Sequence, residues 1–159
     1  MAIRQIRVIG DEILTKPCKP VKEMNDRTRE LIGDMFETLY ASNGCGLAAP
    51  QVGILKRLVV IDVDDENQYV VINPEILETS GSQTGAEGCV SVPGKQGQVT
   101  RADHVKVRAL NEDMEEQVIE AEGLLARCIL HECDHLDGKL YVDLVEGALA
   151  DVEMGETEE

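Results

Sequence analysis

The sequence contains no tryptophan and one phenylalanine, and aromatic residues make up 3% of its 159 positions. Because proteins that bind single-stranded nucleic acid stack bases on aromatic side chains, this scarcity argues against such a role. Positive charge is also scarce, with 15 basic against 31 acidic residues and a net charge of −16. A surface of this sign repels phosphate backbones and anionic lipids, so we expect neither nucleic acid nor membrane as a partner.

Long apolar runs are absent as well. No stretch is long enough to span a bilayer, and the first five residues lack the apolar core of a secretory signal peptide. The cytoplasm, where thiols stay reduced, is therefore the expected location. The five cysteines are accordingly candidate ligands or core residues rather than disulfide partners.

The residues that are present suffice for one folded domain. Hydrophobic residues make up 43% of the chain, enough to form an aliphatic core at this length. Residues 151–159 differ, because they carry five carboxylates and no basic residue. We predict a single catalytic domain over residues 1–147 and an acidic, disordered tail over residues 148–159.

Hydrophobic periodicity predicts both helices and strands. Asn73 and Pro74 are expected to end the second strand, and a Ser-, Gly- and Thr-rich loop is expected to lead from there to Cys89. The pattern predicts a single α+β domain, with antiparallel or mixed strands packed around a central helix. The predicted helices cover residues 26–40 and 122–136, and the predicted strands cover residues 57–63, 69–72, 104–110 and 116–121.

The second predicted helix carries the sequence His131-Glu132-Cys133-Asp134-His135. Two histidines four residues apart lie on one helix face, so both imidazoles can bind a single metal ion. The glutamate between them lies close enough to exchange protons with a water at that ion. The motif therefore predicts a metal-dependent hydrolase, provided that a third ligand comes from elsewhere.

Two zinc-protease arrangements of that third ligand fit poorly. One requires a histidine six residues after His135, where this chain has Tyr141. The other requires a downstream glutamate, for which the candidates are Glu146 near the end of the predicted domain and Glu153 in the acidic tail. Neither arrangement accounts for the site.

Cysteine offers a better third ligand. Cys89 lies among small residues and would complete a Cys-His-His set that leaves a fourth position for water. The alternative is that Cys128, three residues before His131, fills the fourth position; the protein would then be a metal-stabilised binding domain and not an enzyme. Cys133 is a weaker candidate, because it projects from another side of the helix.

The glycine-rich segment at residues 43–51 has side chains too small for an ordinary surface loop. It is not a phosphate-binding loop, because no Lys-Ser/Thr pair follows the glycines. The residues alone leave tight packing and ligand binding equally open.

Three segments together resemble the signature of the peptide deformylases in order and spacing. They read GCGLAAPQ at residues 44–51, EGCVS at residues 87–91 and HECDH at residues 131–135, and the resemblance covers roughly residues 3–145. It implies an enzyme that removes the N-formyl group from the initiator methionine of new polypeptides and releases formate.

The resemblance also implies residue roles. It assigns the metal to Cys89, His131 and His135, acid–base catalysis to Glu132, and donation to the formyl oxygen to Gln51 and the Val90 amide. The implied metal is iron(II) in cells, with zinc, nickel or cobalt accepted, and the Cys-His-His set itself suits both iron and zinc. The implied substrate-binding residues are Gly44, Cys45, Gly46, Leu124 and Cys128.

Some positions depart from the family pattern. Val90 stands where leucine is usual, and the segment after Pro93 lacks an arginine found in some members. The acidic C-terminus replaces a basic helix that many relatives carry. Ribosome docking through the C-terminus is therefore not expected, which leaves at most transient contact with the ribosome.

Overall fold

The computed structural model describes residues 2–64 and 66–151, and it forms one α+β unit. Short 3-10 turns occur at Glu12–Thr15, Ala49–Val52 and Tyr141–Asp143. The helices are α1 (Asp26–Ser42) and α2 (Gly123–Leu136). The strands are β1 (Gly46–Ala48), β2 (Leu58–Ile61), β3 (Tyr69–Ser80), β4 (Gln83–Cys89), β5 (Val92–Arg101), β6 (His104–Leu110), β7 (Glu116–Glu122) and β8 (Glu146–Asp151).

Within the described residues, the strands form two sheets. One has five strands in the order β1-β2-β3-β6-β7, and the other has three in the order β4-β5-β8. Neighbouring strands pair antiparallel in both sheets. The predicted α+β class with a central helix is confirmed.

The two helices lie on opposite faces of β2. Successive side chains of a strand point to opposite faces, and β2 places Val59 and Ile61 in the core cluster that includes α2. Its other pair, Leu58 and Val60, belongs to the cluster that includes α1. Because β2 is buried on both sides, it fixes α2 firmly in the interior.

Helix α1 begins at Asp26 as predicted and ends at Ser42, shortly after the predicted end at residue 40. The Asn25 side chain accepts a hydrogen bond from the Thr28 amide at 2.8 Å, which is the usual N-cap arrangement. Asn43 then ends the helix in the left-handed conformation, with φ of 59°. The chain turns there directly into the glycine-rich segment.

The predicted end of β3 at Pro74 is wrong, because the strand continues to Ser80. Pairing with β2 stops at Ile72, so the later residues of β3 pair only with β6. A register shift and a φ of 52° at Asn73 mark the change. A proline, which has no N–H to donate, is tolerated on such an unpaired edge.

The predicted loop before Cys89 is also wrong in part. Residues 83–89 form β4, and residues 92–101, for which no strand was predicted, form β5. The domain boundary predicted at residue 147 falls inside β8, which pairs with β5. The rest of the predicted tail, residues 152–159, lies outside the described residues.

Candidate metal centre

Helix α2 and the end of β4 bring Cys89, His131 and His135 together. One potential ligand atom from each residue lies within 4.8 Å of the others. Both histidines are buried, and Cys89 is half-buried at the edge of a cavity. Nε2 of His135 lies 3.3 Å from the Cys89 sulfur. The two segments that carry these residues are distant in sequence and meet only in the folded chain.

Glu87 orients His131 from behind. Its Oε1 atom lies 2.5 Å from Nδ1 of His131, so Nε2 is the ring nitrogen left for a metal. A carboxylate behind a ligating histidine fixes the ring and its tautomer. Glu87 and Cys89 are two residues apart on β4, and they therefore project on the same side of the strand.

Two buried arginines neutralise Glu87. Arg101 donates to both oxygens at 2.5 and 3.1 Å, and Arg127 donates at 2.7 Å. Arg101 also donates to Asp134 on α2 at 2.7 Å. Burial opposes ionisation of Glu87, but the hydrogen bonds from His131 and Arg101 outweigh it and lower the pKa to about 2. Glu87 is therefore a carboxylate at neutral pH.

Glu132 lies beside the ligand atoms in a different environment. It is buried, and its Oε1 has no hydrogen-bond partner among the described residues. Burial raises the pKa of Glu132 to about 8. A carboxyl group with a pKa near neutrality suits proton transfer in both directions.

Gln51 is held with its amide nitrogen toward the cysteine. Its Oε1 accepts from the Ala48 amide at 2.9 Å, while Nε2 donates to Ser91 Oγ at 3.0 Å and lies 3.5 Å from the Cys89 sulfur. The side chain is fully buried. The amide therefore points a fixed donor at the region around Cys89.

The glycine-rich segment packs tightly and also lines the cavity. A Cβ built on Gly46 would lie 2.7 Å from the Cys128 sulfur and 2.9 Å from Glu132 Cγ, so only glycine lets this backbone lie against α2. Cys45, the preceding residue, has its sulfur 3.2 Å from that of Cys128. The sequence left packing and binding open, and the segment both packs against α2 and lines the cavity.

The cavity beside the ligand atoms has a volume of about 570 Å³. Leu124 at its rim is 55% exposed, whereas Cys128 deeper in its wall is buried. The cavity is therefore large enough for a side chain, and it is open to solvent at the Leu124 end. Every residue predicted to bind substrate lines it: Gly44, Cys45, Gly46, Leu124 and Cys128.

The rejected ligand candidates have other contacts. The Tyr141 ring stacks on His131 with ring centroids 6.0 Å apart, and Glu146 Oε2 accepts a hydrogen bond from Thr100. Cys133 is buried in the core cluster of α2. Cys128 does not belong to the ligand cluster found within the described residues. Glu153 lies outside the described residues.

The donor set fits a divalent transition metal. A thiolate with two imidazoles suits zinc and iron(II) and leaves coordination positions free. Burial, together with the nearby His131 and Arg101, lowers the pKa of His135 to about 3, which keeps this imidazole in the neutral form that binds metals. The Cys89–His131–His135 cluster could therefore hold a metal.

Sequence reasoning missed the residues that support this cluster. Glu87 was quoted in a motif but given no role, although its spacing from Cys89 on a strand would have placed both on one face. Ser91 lies in the same motif, two residues after Cys89, and was likewise given no role. Arg101 and Arg127 gave no such signal. They reach the centre through the pairing of β4 with β5 and the packing of α2 against them.

Comparisons with known proteins agree with this architecture. Residues 3–149 match the family model described as polypeptide deformylase. A peptide deformylase of Agathobacter rectalis is 62% identical over 159 residues, with 100% of both chains covered. A solved peptide deformylase of Legionella pneumophila superposes with a TM-score of 0.89 at 47% identity, covering 91% of this chain and 87% of that one. One of Synechococcus elongatus in complex with actinonin has a TM-score of 0.86 at 45% identity, covering 89% and 78%.

Proposed function

Because this chain belongs to the peptide deformylase family, we propose that Cys89, His131 and His135 are the ligands of its metal ion. The protein is a metal-dependent hydrolase that removes the N-formyl group from formyl-methionine at the start of newly made polypeptides and releases formate. The proposal rests on one observation, the approach of the three ligand atoms to within 4.8 Å of one another.

Glu132 acts as the acid–base catalyst. A divalent ion in this site would activate water and polarise the formyl carbonyl as a Lewis acid. Glu132 takes a proton from the attacking water and delivers one to the amine of the departing methionine. Its buried, unpaired Oε1 and its pKa of about 8 support both transfers.

Gln51 and the Val90 amide stabilise the negative charge that develops on the formyl oxygen. The Gln51 side chain cannot rotate freely, because its Oε1 accepts a hydrogen bond from the Ala48 amide. A donor held in place before the reaction needs no reorganisation in the transition state. Val90 lines the same cavity, one residue after Cys89.

The methionine side chain of the substrate occupies the cavity. The cavity is lined by Leu124 and Cys128 on α2 and by Gly44, Cys45 and Gly46 from the glycine-rich segment. A volume of about 570 Å³ accommodates a methionine with room for the adjoining peptide backbone.

Iron(II) is the ion that we propose for the protein in the cell, with zinc, nickel and cobalt as substitutes. A half-buried thiolate with two imidazoles accepts each of these ions. Metal analysis of anaerobically purified protein should find iron, and the iron-loaded form should release formate faster than the zinc-loaded form. Zinc alone in such a preparation would contradict the proposal.

We further propose that the protein works in the cytoplasm and meets the ribosome only transiently. The five cysteines are free thiols, and among the residues described no helix has the length and apolar character of a membrane span. A net charge of −16 disfavours lasting contact with RNA. Cosedimentation with ribosomes at physiological salt should therefore be weak, and stable cosedimentation would overturn this point.

The catalytic domain is proposed to include β8 and to end at residue 151, because β8 pairs with β5 beside the centre. The acidic residues that follow take no part in hydrolysis. Deletion of residues 152–159 should leave formate release unchanged, whereas deletion of residues 146–159 should reduce it.

Substitution of Glu132 tests the catalytic assignment. Glu132→Gln should lower formate release from a formyl-methionyl peptide by at least about 100-fold, because general acid–base catalysis is lost. Metal content and the unfolding midpoint should stay near wild type.

Two variants serve as controls for this experiment. Glu120→Gln changes an exposed glutamate on β7 and should retain full activity. Cys128→Ser should keep the bound metal, since Cys128 is proposed to line the pocket. Full activity in Glu132→Gln, or metal loss in Cys128→Ser, would contradict the assignment.

A further inference from the structure

Two thiols from distant parts of the chain meet in the wall of the cavity. Cys45 lies just before β1 and Cys128 lies on α2, 83 residues later, with their sulfur atoms 3.2 Å apart. Both residues line the cavity. In the proposed hydrolysis these two thiols only line the cavity, although a pair of thiols can also be oxidised.

Backbone packing holds the pair together. Gly46 follows Cys45 directly, and a Cβ there would lie 2.7 Å from the Cys128 sulfur. The backbone after Cys45 thus lies against α2 at the level of Cys128. The proximity of the two sulfurs follows from this contact between the β1 segment and the helix.

We propose that Cys45 and Cys128 form an oxidation site, in which a hydroperoxide that enters the cavity converts the two thiols into a disulfide. A disulfide bond is about 2.05 Å long, so the sulfurs need to approach by about 1.2 Å from their separation of 3.2 Å. Side-chain rotation and a small shift of the β1 segment supply this movement.

The reaction balances with hydrogen peroxide as oxidant. The Cys45 thiol gives up its proton and attacks one peroxide oxygen, the O–O bond breaks, the departing hydroxide takes up that proton as water, and Cys45 becomes a sulfenic acid. The Cys128 sulfur then attacks the Cys45 sulfur, the S–O bond breaks, and the departing hydroxide takes up the Cys128 proton as water. Two thiols and one peroxide give one disulfide and two waters.

Exposure assigns the two roles. Cys45 is half-buried and faces the cavity, whereas Cys128 is 3% exposed. A small hydroperoxide therefore reaches Cys45 first, and Cys128 is the thiol that resolves the sulfenic acid. An external dithiol reverses the change by exchange.

The new bond would change the catalytic pocket. Cys128 lies one helical turn before Glu132 on the same side of α2, and a Cβ on Gly46 would lie within 3 Å of both residues. A covalent link would pull the β1 segment toward the helix at the point where it borders Glu132. We expect the oxidised protein to release formate more slowly than the reduced one.

The test uses the full chain loaded with zinc, because zinc has no redox chemistry of its own. Hydrogen peroxide should reduce the intact mass by two hydrogen atoms, and peptide mapping should find Cys45 joined to Cys128. Dithiothreitol should restore the mass. Cys45→Ser and Cys128→Ser should each fail to form the link, whereas Cys18→Ser should form it as wild type does.

Other results would overturn the inference. It fails if peroxide-treated protein contains no Cys45–Cys128 peptide, if oxygen is added at Cys89 alone, or if Cys45→Ser loses the same two hydrogens. The two single variants guard against misfolding in either one. Because mass is measured without a turnover assay, the result is separable from success or failure of the proposed catalytic roles.

Discussion

The helix side and the strand side of the metal centre are built in different ways. On the helix side, α2 supplies His131, Glu132 and His135 within five consecutive residues. On the strand side, Gln51 and Cys89 are 38 residues apart and come from separate elements. The helix side is set by the period of an α-helix, whereas the strand side depends on how distant segments pair and pack.

This difference determines what each side needs for support. Backbone hydrogen bonds fix the spacing of the helical residues without outside help. The strand side needs Glu87, two buried arginines and a glycine to bring it against the helix. We therefore expect substitutions in these supports to disturb the centre as much as substitutions near its ligands do.

The largest effect is expected where the two sides are joined, at Glu87. Glu87→Gln leaves the buried Arg127 with a neutral partner and Arg101 with Asp134 as its remaining ion pair, which should destabilise the fold by about 3–5 kcal/mol. It also weakens the orientation of His131, so metal affinity should fall by about 10–100-fold. Urea unfolding and metal titration measure the two effects.

The control for Glu87 is an ion pair away from the centre. Glu75→Gln removes a carboxylate that pairs with Arg108 in solvent, and it should leave both measurements unchanged. Equal behaviour of the two variants would show that the buried network does not support the strand side.

A smaller effect is expected at Gln51, and it should be catalytic. Gln51→Glu keeps an acceptor for the Ala48 amide but replaces the Nε2 donor, so the turnover rate should fall by about 100-fold, near 3 kcal/mol. KM for a formyl-methionyl peptide should change little, because the donor acts in the transition state.

Gln68→Glu is the matched control for that variant, since Gln68 is exposed. It introduces the same charge change without touching the centre, and it should be fully active. A Gln51→Glu variant that loses substrate affinity but keeps its turnover rate would rule out the proposed donor role.

The smallest effect on stability is expected at Gly46. In Gly46→Ala the new methyl group would overlap Cys128 and Glu132, and relief of this overlap should cost about 1–3 kcal/mol. The loss of formate release, expressed as a free energy, should exceed the loss of stability, because the atoms that must move include the Glu132 carboxylate. Thermal unfolding and formate release should be compared on the same preparation.

Gly85→Ala provides the reference for Gly46. Its Cβ would meet only Arg127, at an ordinary contact distance of 3.5 Å, so both measurements should stay near wild type. If Gly46→Ala gave the same stability and formate release as Gly85→Ala, the close packing of the β1 segment on α2 would not be needed for function.

The same division explains what could be predicted from sequence. α2 was recognisable because its apolar residues and its histidines both follow a helical period. β6 and β7 were recognisable from alternation, and the structure gives β6 the predicted bounds. These elements carry their own pattern and need no knowledge of distant residues.

β4 and β5 carry little pattern of that kind. Their sequences, QTGAEGC and VPGKQGQVTR, are rich in glycine and polar residues and resemble loops. They are strands because they pair with each other and with β8, and strand propensity depends strongly on such context. Glu87 and Arg101 lie on these strands, so the contact of Glu87 with His131 and that of Arg101 with Asp134 were hidden along with them.

The arrangement around Glu87 also bears on how this protein can evolve. One carboxylate serves His131, Arg101 and Arg127 at once, and Arg101 extends the set to Asp134. A mutation at any one of these positions changes the charge and hydrogen-bond balance of the others. The group is therefore expected to drift as a unit: a change at one position persists only when a second mutation restores the balance, so substitutions here should accumulate in pairs.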